Sequence, residues 1–463
     1  MSRSARLVPS AAAVLALALT GSACDGGVHG TPGGSGVRDP YFPKAGNGGY
    51  DVTHYALTLD YTPDSGHLTG KAVITARATK ALSAFDLDLA GLDVDSVTVE
   101  GKDARWNRTG QELTVRPHDD LGKGETFSTT VRYSGTPKTL TDADGSEEGW
   151  LETDDGAVAL GEPVGSMTWF PGNNHPSDKA TYDIKVTVPK GLKAVSNGEL
   201  TSQSTQGGRT TFAWHTAQPM ATYVATVAVG PYKITRSTGP HGLPVLTAVD
   251  PTQVEASAKV LAKIPEIIDW EETNFGPYPF SSTGAIIAPS DAFDYALETQ
   301  TRPVFPGATD TSTLVHELAH QWYGDSVTPK SWRDMWLNEG FATYAEWLYE
   351  EDNGGKSAQE TFTELYEDDD EAVWAFPPAK PSSAAHVSDS PVYERGAMVL
   401  QKIRQKVGDD TFYDIIRGWA AAHRYGNAST ADFTAYVEKA APDKDFAGIW
   451  KDWLYGDGKP AHP

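Results

Sequence analysis

Cysteine is almost absent: Cys24 is the only one in 463 residues, which excludes an intramolecular disulfide and any thiolate metal cluster. Cations are in short supply, with 38 Lys+Arg against 62 Asp+Glu and a formal net charge of −24. So acidic a chain repels phosphate backbones, and nucleic-acid binding is not expected. Long apolar runs are missing too. The one unbroken run, Ala11 to Leu19, falls short of the ~20 residues that a membrane-spanning helix needs. No internal repeat is found. What remains, 39% hydrophobic and 22% charged, is the composition of a globular protein. The length predicts two to four domains and more than one core.

That short apolar run follows Arg3 and Arg6 and precedes Gly21, Ser22 and Ala23. A basic start, an apolar middle and a small-residue exit make residues 1–24 a secretory signal, so the protein is expected to be exported. Cys24 directly after the small residues resembles a bacterial lipoprotein site, which would leave the protein at the cell surface on a lipid anchor. Ordinary cleavage after Ala23 would release it as a secreted protein. Residues 25–48 are rich in Gly and Pro and read as a flexible tether.

Two periods divide the rest. Over residues 49–240 apolar side chains alternate, as at Tyr55, Leu57, Leu59 and Tyr61 or at Tyr182, Ile184, Val186 and Val188. Alternation between Gly, Asp and Pro clusters predicts half-buried antiparallel strands. Over 241–463 the period turns helical, with helices expected at 252–275, 312–324, 334–350, 392–407, 410–423, 430–440 and 445–455, and a strand at 284–288. Pro265 should kink or split the first helix, and 377–390 reads as a loop. The fold class is α+β and multidomain.

The sequence His316-Glu317-Leu318-Ala319-His320 falls in the second of these helices. Residues four apart share a helix face, so both imidazoles can reach one ion, with Glu317 beside them but not ligating. Glu339 follows after 18 intervening residues. Trp336, Leu337, Phe341 and Tyr344 surround it with apolar side chains, where a carboxylate needs a cationic partner. Two His and one carboxylate leave a fourth tetrahedral position open, the pattern of catalytic zinc, and one Zn²⁺ is expected. Such an ion lowers the pKa of water to about 7 and polarises a carbonyl, while Glu317 takes the proton.

The stretch HELAHQWYGDSVTPKSWRDMWLNEGFATYAEW resembles the zinc signature of the M1, gluzincin-type, aminopeptidases, and the resemblance runs from about Tyr50 to the C-terminus. It implies a saddle-shaped N-terminal β domain followed by a thermolysin-like, mostly helical catalytic domain. Three further positions gain roles from it. Tyr393, in SPVYERGAMVL, matches the tyrosine that hydrogen-bonds the oxyanion. Glu298, with Ala296, in YALET matches the substrate-amine segment, in which Thr299 replaces the usual Asn. Glu162, in GEPVGSMTWFP, matches the second amine-binding carboxylate. Many members of the family carry a large C-terminal helical domain over the active site; none is expected here, which implies a two-domain enzyme with a more open cleft, as a monomer. Asp325, Asp334 and Glu346 are candidates to support the metal-bound imidazoles.

The implied activity is removal of the N-terminal residue from peptides with a free N-terminus. Two anionic groups around one ammonium favour chains that end there, and the clamp fixes which carbonyl lies at the metal. A zinc endopeptidase would share the metal and Glu317 without needing Glu298 or Glu162. A non-catalytic peptide-binding surface protein would typically have lost one of His316, Glu317, His320, Glu339 or Tyr393.

Overall fold

Alternating side chains build the first half as the period suggests. In Tyr50–Thr62, Val52 is buried and then Tyr55, Leu57, Leu59 and Tyr61. A bulge between Val52 and His54 shifts the phase, as one extra residue must in a structure of period two. This strand is central in an eight-stranded sheet, between Lys179–Pro189 and His67–Ala78. The pairing with Lys179–Pro189 is parallel, whereas antiparallel strands were expected throughout. Parallel neighbours require a long connection, and alternation alone does not specify direction. A smaller antiparallel sheet orders Thr139–Thr141, Glu147–Thr153, Gly156–Leu160, Val227–Gly230 and Lys193–Ser196. Its third strand runs directly into Gly161 and Glu162.

The computed structural model describes residues 29–368 and 371–463. The export signal, Cys24 and residues 25–28 lie outside the described residues. No described helix is long and apolar enough to cross a membrane.

Residues 29–48 correct the expectation of a free tether. Thr31–Pro32 pairs with the strand Leu82–Asp88, and Gly34–Ser35 pairs with Asn47–Gly48. Asp39 is buried and takes hydrogen bonds from the Ser331 hydroxyl (2.7 Å) and the Trp332 amide (3.0 Å), with His175 Nε2 at 3.3 Å. Tyr41 donates to the Pro381 carbonyl at 2.7 Å. A segment too poor in apolar residues for its own core is thus held by polar bonds to both halves. Those bonds oppose the effect of burial and keep the Asp39 carboxyl well below its usual range.

The second half begins earlier than residue 241. Lys233–Thr238 pairs antiparallel with Pro244–Val249, which continues in parallel to Thr283–Ile287 and Val304–Phe305. The boundary therefore falls near Pro231. This edge strand carries a single apolar residue, Ile234, so no pattern along it says which sheet it joins.

The helices are α1 Val254–Leu261, α2 Ile264–Phe275, α3 Thr311–Ala319, α4 Trp336–Asp352, α5 Ala358–Glu367, α6 Gly396–Val407, α7 Asp409–Ala422 and α8 Thr430–Ala440. Pro265 sits in the first turn of α2, where its missing N–H costs no helical bond. Helix α5 was not expected. Only Ala358 and Phe362 of it are buried, but Ser357 and Glu360 form a capping box. The length suggested separate cores, yet the buried apolar residues form one cluster from Tyr50 to Leu454.

Candidate active site

Asp310 caps α3 by accepting from the Thr313 amide at 2.8 Å, so the helix starts where its acidic cap satisfies an otherwise unpaired N–H. His316 and Glu317 lie in its last turns and His320 at its C-cap. Helix α4 packs against α3 and carries Glu339 in its first turn. Glu339 Oε2 lies 3.1 Å from His316 Nε2 and 3.3 Å from His320 Nε2. Ligand atoms 2.0–2.1 Å from one tetrahedral ion stand about 3.3 Å apart, so the spacing fits such an ion.

The opposite ring nitrogens strengthen the fit. His316 Nδ1 meets Glu346 Oε1 at 2.7 Å, and His320 Nδ1 meets the Tyr323 carbonyl at 3.0 Å. Both Nδ1 atoms therefore donate, which leaves the Nε2 lone pairs to coordinate a cation. Glu346 is also held by the Ser312 hydroxyl at 2.5 Å. Its place two turns beyond Glu339 was the available sequence signal. The other two candidates do not bond an imidazole: Asp334 accepts from the Thr430 amide and hydroxyl (2.8 and 2.7 Å), and Asp325 is buried near Glu298 and Glu317, whose charges help burial raise its pKa. Replacing Glu346 with Gln should weaken metal affinity about 10–100-fold, measured by competition with a chelating indicator.

Two other triads, Glu298 with Glu317 and His320, and Glu162 with Glu298 and Glu339, also bring ligand atoms within 4.8 Å of one another. Neither has two imidazoles with their tautomers fixed. Glu317 leaves its buried Oε2 unpartnered, and burial, aided by Glu298 and Glu339 and opposed by both histidines, pushes its pKa to about 8. Burial opposes charge on His320, but Glu339 and Glu298 outweigh it and raise the pKa to about 9. Glu339 is driven the other way, to about 2, because the histidines overcome its burial. Concentrated anionic charge is what a bound cation would offset.

Tyr393 stacks on His316, ring centroids 6.0 Å apart and planes at 14°. Burial first, then Glu339, holds its phenol well above its usual pKa, so it remains a donor. It lies in one π-helical turn, Pro391–Arg395, that leads into α6. Arg395 ties this turn down by donating to the carbonyls of Trp453 (2.9 Å), Phe376 (3.3 Å), Asp452 (3.1 Å) and Gly456 (2.6 Å). Where α6 meets α4, a Cβ built on Gly340 would come within 2.9 Å of the Gly396 backbone.

Glu298 comes from the segment before Val304, where Leu297 and Val304 exchange backbone hydrogen bonds. Gln321, next to His320, accepts from the Thr301 amide at 2.7 Å and fixes that segment to the metal-binding region. Glu298 is 3% exposed, and its Oε1 is buried without a hydrogen-bond partner. Thr299 instead donates within its own turn, to the Arg302 carbonyl. Glu162 arrives from the β unit, and burial and then Glu298 raise its pKa. Ala296, Glu162, Glu298, Glu317, Tyr393 and the His316/His320/Glu339 set all line one cavity of about 460 Å³. Reasoning from sequence missed Asp142, Asp144, Ser146 and Tyr295, which line it as well. No motif pointed to that turn.

A mixed α+β scaffold that brings two imidazoles and a carboxylate together beside a buried glutamate defines the metallopeptidase class. The Peptidase M1 N-terminal domain profile matches residues 51–224 and the Peptidase family M1 domain profile residues 295–453. The M1 zinc metallopeptidase from Deinococcus radiodurans superposes with a TM-score of 0.84 at 30% identity, covering 92% of this chain and 98% of that one. A mutant of it, 29% identical with a TM-score of 0.84 (92% and 99% covered), was crystallised with a Tyr-Ser-Ala substrate. The chain belongs to peptidase family M1. Among curated relatives, Aminopeptidase 2 of Candida albicans is 24% identical over 88% of this chain and 47% of its own length. Glutamyl aminopeptidase of Bos taurus is 28% identical over 63% and 34%. The chain thus spans half or less of the length of these two.

Proposed function

We propose that the protein is a zinc-dependent aminopeptidase that hydrolyses the N-terminal peptide bond of peptides. The observation that carries this is the pair Glu298 and Glu162 beside the two-histidine, one-glutamate set, with Glu298 Oε1 unpartnered in the same cavity. An ammonium group supplies the partner these carboxylates lack. His316, His320 and Glu339 would hold one zinc ion. When bound, zinc supplies a Lewis acid that polarises the scissile carbonyl and acidifies water.

The remaining work belongs to side chains. Glu317, its pKa raised by burial, takes the proton from the attacking water and hands it to the departing amine. Tyr393 offers its phenolic O–H to the oxyanion that develops on the carbonyl. Glu298 and Glu162 hold the substrate amine, so only the first carbonyl reaches the reacting position. Residues 1–24 add export to the proposal, which directs the activity to peptides outside the cell.

The test is a panel of aminoacyl anilides, free and N-acetylated, with and without chelator. Free substrates should be cleaved and acetylated ones spared, and chelator should abolish turnover until zinc is restored. Equal cleavage of acetylated substrates would indicate an endopeptidase.

A further inference from the structure

Besides the two amine-binding carboxylates, a turn of the β unit lines the cavity. Residues 142–146 connect the strands Thr139–Thr141 and Glu147–Thr153, and Asp142, Asp144 and Ser146 face the cavity shared with Glu162 and Glu298. The turn is shaped by its own bonds. The Asp142 amide donates to the Ser146 carbonyl at 2.9 Å, and Asp144 Oδ1 accepts from the Ser146 amide and hydroxyl at 2.8 and 2.7 Å.

Both sides of the cavity hold the turn in place. Tyr295 donates its hydroxyl to the Glu147 carbonyl at 3.1 Å. Buried Glu148 accepts the amides of Val164 and Gly165 at 2.9 and 2.7 Å, just beyond Glu162. The acidic turn and the amine seat are therefore parts of one scaffold.

Among the described residues, no lysine or arginine lines this cavity. Burial, and less strongly the Asp144 charge, pushes the Asp142 carboxyl above its usual range, so negative charge is already crowded. Glu298, almost wholly buried, turns an oxygen without a protein partner into this cavity, which marks it as the seat of a cationic substrate whose amine that oxygen takes. A substrate's first side chain branches from the carbon that carries the amine, so it lies at the end occupied by Glu162 and Glu298. Glu346, which bonds His316 Nδ1, lines the cavity on the imidazole side instead.

We infer that Asp142 and Asp144 receive the side chain of the substrate's N-terminal residue and select lysine or arginine there. The inference rests on the aminopeptidase reading. The aliphatic stem of such a residue can lie along the Tyr295 ring while its charged head reaches the turn. An acidic side chain would instead meet Asp142 and Asp144, a repulsion that sharpens the choice. The net charge of −24 further draws cationic peptides toward the cleft, an attraction that salt screens.

The test uses the zinc-loaded full chain and compares kcat/KM for arginyl and citrullyl anilides, near-isosteres that differ in charge. The arginyl substrate should be preferred about tenfold or more, and the preference should shrink with added salt. In the Asp142→Asn/Asp144→Asn double variant the ratio should fall toward one. An Asp144→Lys variant should raise the glutamyl-to-glutaminyl ratio. Each readout is a ratio within one protein, so a smaller folded fraction does not change it. A native ratio near one, or a ratio unmoved by the double substitution, would overturn the inference while leaving the aminopeptidase intact. Failure to cleave any free aminoacyl anilide would instead remove the reading beneath it.

Discussion

A Glu317→Gln protein should hold as much zinc as the native enzyme and turn over about 10³–10⁴-fold more slowly. The substitution keeps the shape of the side chain and removes its capacity to accept a proton. Metal retention follows from the geometry: the Nε2 atoms of His316 and His320 face Glu339 Oε2 at 3.1 and 3.3 Å, and Glu317 is not needed to complete that set. The measurement pairs metal analysis with single-turnover kinetics. Loss of zinc in this variant would make Glu317 a ligand, through the alternative triad with Glu298 and His320. Undiminished turnover would assign the base to another group.

Glu298→Ala should lower kcat/KM for free aminoacyl substrates about 10²–10³-fold, the cost of leaving a buried charge without its partner. The same change should narrow the gap between free and N-acetylated substrates, because the ammonium would no longer be rewarded. Zinc content should stay constant. A uniform loss on both substrate types would show that Glu298 supports the fold of the 295–302 segment rather than the amine.

The helices that carry His316, His320 and Glu339 were legible because their signals are local. His316 and His320 announce a shared face by their spacing, and the mixture of apolar residues around Glu339 marks a carboxylate that requires a cation. Residues 430–440 were read with the bounds that the helix shows. Signals that depend on partners far away in the chain were harder to read. Asp39 looks like one acid in a Gly-rich stretch, and only the fold brings Ser331 and Trp332 to it. Likewise, the strand Lys233–Thr238 has one apolar side chain, Ile234, and no pattern that assigns it to a sheet, so the boundary was set some ten residues late. The turn 142–146 reads as ordinary surface acid; its place beside Glu162 depends on the hairpin's register and on the bond from Tyr295.

The contact between Gly340 and Gly396 ties two parts of the chemistry together. Gly340 follows Glu339 by one position, and Gly396 lies three beyond Tyr393. With backbone against backbone and no room for even a methyl group, there is no soft layer between them to absorb a displacement. On the proposed mechanism the electrophilic pole and its opposing proton donor would therefore shift as a single block, and adjusting one alone would mean rebuilding the seam where their helices touch.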